Sequence, residues 1–109
     1  MYLKTNNKTY EIIKAETFRQ RLCGLIGKTN INFGMLFPKC NSIHTYFMKE
    51  NIDVIGLDEN HEVIYKYENL DKNRIIKINN DIKKTSILEL PANSSKKIRI
   101  GTILIFEYN

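Results

Sequence analysis

Short apolar runs broken by polar turns dominate this chain and leave little room for anything but a sheet. Strand-length runs lie at residues 31–37, 43–48, 52–57, 62–67, 75–78, 86–90 and 103–108. Pro38, the Lys49–Glu50 pair, the turn from Asp58 to His61, a polar loop at 79–85 and the segment from Pro91 to Ser95 separate them. Runs of four to eight residues are the length of strands and too short for helices that must bury a face. Upstream, residues 8–15 alternate, with Tyr10, Ile12 and Lys14 on one face and Glu11 and Ile13 on the other. Residues 96–100 are short and ambiguous. One helical signal interrupts this pattern. Thr17 can cap a helix, with Gln20 completing a capping box, and Phe18, Leu22, Leu25 and Ile26 form one stripe that Gly27 ends. The expectation is a mainly β (α+β) fold. It is a compact single-domain sandwich or partly closed barrel of seven or eight short strands, with one short helix near residues 17–26 packed on the sheet.

A chain of 109 residues is one domain, and at 42% hydrophobic it can bury a core without disulfides or metal. No apolar run approaches the ~20 residues of a membrane span, and the polar start lacks a signal peptide's apolar middle. Two cysteines, Cys23 and Cys40, do not make a disulfide scaffold, so a cytoplasmic location with reduced thiols is expected. The formal charge of +5 does not indicate a nucleic-acid face. Lysine supplies 13 of the 17 basic residues, scattered along the chain, and no aromatic residues interleave with the basic groups to stack bases. The partner expected is therefore a small molecule or another protein, with neither nucleic acid nor membrane involved and no cofactor.

Several motifs, in order, resemble the uncharacterised family called domain of unknown function 192. Ala15, Thr17, Arg21, Gly24 and Leu25 match its opening, and Gly34, Met35, Leu36 and Phe37 its Gly-Met-Leu-Phe segment. His44, Thr45, Phe47 and Met48 match the next motif, followed by Ile52, Asp53, Val54, Leu57 and Asp58, and then Leu88, Glu89 and Leu90. The match runs from about residue 8 to 107. This chain departs from the pattern at Lys72, where the family usually has proline, at Asn93, near a usual glycine, and at Thr102, where an aspartate is usual. Asn93 can keep a left-handed backbone. The resemblance implies a mainly β, sandwich-like domain and no established reaction, substrate or cofactor.

Polar residues set in apolar strands are where chemistry is expected, because each costs stability unless partnered. On an extended strand Cys40, Ser42, His44, Tyr46 and Met48 share one face. Cys40 and His44 have a spacing that ligates zinc on a helix, but on a strand they lie ~13 Å apart, so no metal is expected. A cysteine nucleophile also lacks support. Cys23 falls at the edge of the helical stripe, and neither cysteine has an oxyanion-hole signature beside it. His44 and Asp53 are the central pair. A hairpin turning at Lys49–Glu50 would set Tyr46 opposite Asp53 and His44 diagonal to it, on one face. Shifting that register by one residue would separate them. The candidate ligand-binding residues are thus His44, Tyr46, Asp53, Arg21 and Cys40. Arg21 could pair with Glu89 or Asp58, and His61 reads as a solvated turn residue. A non-enzymatic binding or accessory domain with a polar pocket around His44 and Asp53 is the first reading. A small hydrolase or transferase with His44 as general base oriented by Asp53 is the second, and a purely structural or interaction module the third.

Overall fold

Alternation of side chains along the central strands decides the architecture. The computed structural model describes residues 1–5, 8–17 and 24–108. Nine strands form among the described residues: β1 Tyr2–Lys4, β2 Thr9–Lys14, β3 Gly34–Phe37, β4 Ser42–His44, β5 Ile52–Leu57, β6 Val63–Leu70, β7 Ile75–Lys77, β8 Ser86–Pro91 and β9 Phe106–Glu107. Seven of them make one sheet in the order β6-β5-β8-β3-β2-β1-β9, and β4 pairs with β7 in a separate ribbon.

Along β3, Leu36 points to one face while Met35 and Phe37 point to the other. Along β5, Ile55 and Leu57 share the first face, and Ile52 and Val54 the second. All six residues of β5 are buried, because each face of the sheet carries its own apolar cluster. One cluster gathers Leu3, Ile12, Leu88, Leu90, Leu104 and Phe106 inside the curl of the sheet. The other lies beneath the β4–β7 ribbon, where Ile76, Ile78 and Met48 cover Val54, Leu70 and Ile87. Gly34 allows the tight packing at the centre: a Cβ there would lie 2.7 Å from Leu90 Cδ2 and 2.9 Å from the Glu89 carbonyl oxygen.

The sheet curls until its two edges approach. The N–H of Val63 donates to the Thr102 carbonyl at 2.8 Å, and that of Leu104 to the His61 carbonyl at 2.9 Å. A bridge joins Glu62 to Ile103, while β9 pairs with β1. The barrel stays open, because only this short segment spans the gap. His61 is therefore not the solvated turn residue expected. It is half-buried, with its ring edge-on to Phe106 at 5.2 Å.

β2 and β3 run parallel, which requires a long crossover, and the segment expected to be helical lies within it. Residues 18–23 of that expected helix lie outside the described residues. Its described end, residues 24–27, is a turn, with Gly24 at φ 49° and Gly27 at φ 76°, values that no α-helix holds. The ambiguous stretch at 96–100 forms turns, and β1 at the N-terminus is a strand the sequence pattern did not announce.

The expected hairpin between residues 43–48 and 52–57 does not form. β4 ends at His44 because residues 45–48 turn, with the Met48 N–H donating to the Thr45 carbonyl at 3.2 Å. Thr45 clamps that turn to the loop before β7: its hydroxyl donates to the Asp71 carbonyl at 2.7 Å and accepts from the Arg74 N–H at 2.8 Å. β4 then pairs antiparallel with β7, Ile43 opposite Ile76, while β5 lies between β6 and β8.

Candidate functional site

Two acidic residues sit one position out of register on adjacent strands and so point to opposite faces of the sheet. Asp53 on β5 pairs with Leu90 of β8, and Val54 pairs with Glu89. The two carboxylates have different surroundings and different uses.

Asp53 is fully buried and ties three chain segments together. Its Oδ1 accepts from the N–H groups of Asn69 and Asn93, each at 2.8 Å. Its Oδ2 accepts from the Ser95 N–H at 2.9 Å and from the Ser95 hydroxyl. The register of β6 explains the need. Ile52 pairs with Leu70 and Val54 with Tyr67, so β6 carries one extra residue opposite Asp53. A bulge leaves a backbone donor off the ladder, and the carboxylate takes it. Asn69 and Asn93 both adopt left-handed backbones, φ 52° and 66°, which turn their N–H groups toward Asp53. Asn93 thus keeps the conformation expected of it. Asp53 serves the scaffold, and with these partners it does not orient His44.

Glu89 is also buried, at 6% exposure, but it faces a cavity of about 160 Å³. The Leu25 N–H donates to its carboxylate, and burial outweighs that bond and pushes its pKa up to about 7. Leu25, Phe37, Ile43 and Met48 form apolar walls. Gly24 closes one side: a Cβ there would sit 3.0 Å from Phe37 Cζ and 3.4 Å from Glu89 Oε1, on a backbone at φ 49°. Cys40, Ser42 and His44 stand on the rim. Ser42 and His44 are exposed because alternation on β4 turns Ile43 inward. The Cys40 thiol donates to the Ser42 carbonyl at 3.2 Å. The His44 ring leans on Tyr46, with centroids 5.3 Å apart. A carboxyl that titrates near neutrality at the floor of an apolar cavity can accept from a cation or donate a proton, and perturbed groups of this kind concentrate at functional sites.

Of the residues expected at the site, Cys40 and His44 are brought to one rim, and Tyr46 flanks it. Asp53 lies on the other face, and Arg21 is outside the described residues. Glu89, expected from the sequence only as a partner for Arg21, is the carboxylate that lines this cavity. Its signal was present in the sequence, a glutamate between Leu88 and Leu90 in a strand with no turn nearby. Among the described residues, no three His, Cys, Asp or Glu side chains converge as a metal-ligand set. No helix among them is long and apolar enough to cross a membrane.

The turn beside the site is strained. Phe47 holds φ 66° while 81% exposed, at a turn position that glycine or asparagine normally fills. A bulky residue there gains little burial and bears the cost of the left-handed region. Such outliers gather where function holds them.

Comparison with known proteins supports the fold and leaves the role open. A protein of unknown function from Novosphingobium aromaticivorans superposes with a TM-score of 0.76 at 14% identity, over 96% of this chain and 82% of that one. A candidate transcription regulator from Sinorhizobium meliloti gives 0.67 at 19% identity, over 94% and 87%. At such identities the likeness concerns the fold alone. A curated relative, the UPF0127 protein of Thermococcus sibiricus, is 38% identical over 69 residues, which cover 56% of this chain and 45% of that protein. The match thus spans less than half the relative's length. Residues 1–104 match the family described as "Uncharacterized ACR", and the chain belongs to this family, domain of unknown function 192.

Proposed function

We propose that this domain is a small non-enzymatic binding module whose ligand places a hydrogen-bond donor or cationic group against Glu89. The observation that carries the reading is the setting of that carboxyl, buried on a central strand, lining a cavity and bonded by the Leu25 N–H among the described residues. A carboxyl poised near neutrality at the floor can give up its proton to hold an amine or guanidine, or stay neutral beside an amide, and the walls of Leu25, Phe37 and Met48 suit a short apolar stem. His44 and Ser42 on the rim supply polar contacts to a part of the ligand left outside. A catalytic role for His44 has weaker support, because Asp53 is committed elsewhere and cannot set the imidazole's orientation.

The test is a thermal-shift panel of short amines, guanidines and amides at pH 7, followed by calorimetry in buffers of different ionisation enthalpy. An amine that binds raises the melting temperature by mass action and makes Glu89 release its proton into the buffer. Glu89→Gln should abolish that proton release and His44→Ala should weaken binding. No stabilisation by any member of the panel at ten times the concentration of weak fragment binding, on the order of 10 mM, would overturn the proposal.

A further inference from the structure

A second cavity lies at the open end of the curled sheet, between the β1–β2 pair and the segment that leads from β8 to β9. Its volume is about 560 Å³, within the range of small-molecule sites. The floor is apolar: Leu3, Tyr10, Ile98 and Leu104, all buried members of the inner cluster, reach into it. The rim is basic. Among the described residues, Lys4, Lys8, Lys96 and Lys97 line it against the one carboxylate of Glu107. All four lysines are exposed, and the Lys8 ammonium is held 5.1 Å from the centroid of the Tyr10 ring. Ile103 and Ile105, 57% and 75% exposed, extend the apolar surface past the mouth.

These features choose the chemistry of an occupant. An apolar floor reached through a ring of ammonium groups selects against cations and rewards an anionic head on an apolar body. We infer that this mouth is a second binding site, for a small organic anion with an apolar tail, its carboxylate among Lys4, Lys96 and Lys97 and its tail on Leu3, Ile98 and Leu104. The charges are also where they act with least cost. The lysines stay in water until a ligand arrives, so no buried cation has to be maintained in the free protein. The site is separate from the Glu89 cavity, with which it shares no lining residue.

Decanoate, below its micellar concentration, is the probe. Titration followed by amide chemical shifts should show saturable one-to-one binding, with the largest changes at Leu3, Ile98 and Leu104. Decyltrimethylammonium, of the same tail and opposite charge, should bind at least tenfold more weakly. The variant carrying Lys4→Gln, Lys96→Gln and Lys97→Gln changes exposed residues only, so it should fold like the parent, and it should weaken decanoate about tenfold. Glu89→Gln should leave decanoate binding unchanged, which separates this site from the one proposed above. Equal binding of the two amphiphiles, an unaffected triple variant, or binding to phosphatidylglycerol vesicles without a one-to-one decanoate complex would overturn the inference.

Discussion

Replacing Asp53 by asparagine removes one negative charge and one acceptor from a fully buried side chain that accepts four hydrogen bonds. The amide can face either way, and the structure says which is cheaper. If its NH2 replaces Oδ1, two backbone N–H groups, of Asn69 and Asn93, lose their acceptor. If it replaces Oδ2, one backbone N–H of Ser95 is left, while the Ser95 hydroxyl can rotate and accept from the new amide. The second orientation wins. It still sacrifices one charge-assisted backbone bond and leaves a buried donor facing another donor. Hydrogen bonds to charged groups contribute about 1.5–3 kcal/mol, and an orphaned buried donor costs about 1–3 kcal/mol. The expected loss is therefore about 3–5 kcal/mol, a large share of the 5–15 kcal/mol that holds a typical domain together. Urea unfolding followed by circular dichroism measures it, and the melting temperature should fall by roughly 15 °C or more. Ser95→Ala, which keeps the backbone bond but removes the hydroxyl donor to the carboxylate, should cost about 1.5–3 kcal/mol. A loss of less than 1 kcal/mol in Asp53→Asn with an unchanged denaturant slope would refute the account of Asp53 as the scaffold's knot.

Three further outcomes follow from the same geometry. Burial raises the Glu89 pKa from 4.5 to about 7, so the folded state binds the proton more tightly than the unfolded chain. The stability this group contributes is then complete below pH 4.5 and is lost as pH rises through about 7, a change of about 3 kcal/mol that Glu89→Gln should abolish in a pH series of unfolding curves. Phe47→Gly should stabilise the fold by about 0.5–1 kcal/mol, since release of left-handed strain, about 1–2 kcal/mol, outweighs the entropy glycine adds to the unfolded chain. A loss of stability instead would show that the exposed ring is held by contacts worth more than the strain. Because β4 and β5 belong to different sheets, a double-mutant cycle of His44→Ala and Asp53→Asn should show coupling within about 0.5 kcal/mol of zero, and stronger coupling would restore the link between them.

Much of the sheet could be read from residue order, and the failures have identifiable causes. β5 was delimited by its apolar run because both of its faces are buried, with Asp53 the one charged residue inside it. β1 was missed because a three-residue strand beside polar turn residues has too few positions to show a period. The His44–Asp53 hairpin failed for a subtler reason. Residues 43–48 look continuous, but Thr45 is buried by hydrogen bonding to Asp71 and Arg74, not by packing, and Phe47 is apolar yet exposed in a turn. Composition cannot separate an apolar residue in a strained turn from one in a strand. Asp53 was marked as a polar residue needing partners, but those partners are three backbone N–H groups and the Ser95 hydroxyl, some 16–42 positions away. Such long-range donors have no signature in a sequence. Glu89 stood in plain view between two leucines, and what the sequence lacked was the cavity that distinguishes it from a paired structural carboxylate.

Titration of the Glu89 side-chain carboxyl, followed by its carbon chemical shift in the folded protein, tests the central claim most directly. A site poised to receive a donor requires a midpoint near 7, falling by a unit or more when a short amine saturates the cavity, because a cation beside the carboxyl favours its ionised form. A midpoint near 4.5 that no amine shifts would contradict it, since the carboxyl would then already be ionised and fully served by the scaffold.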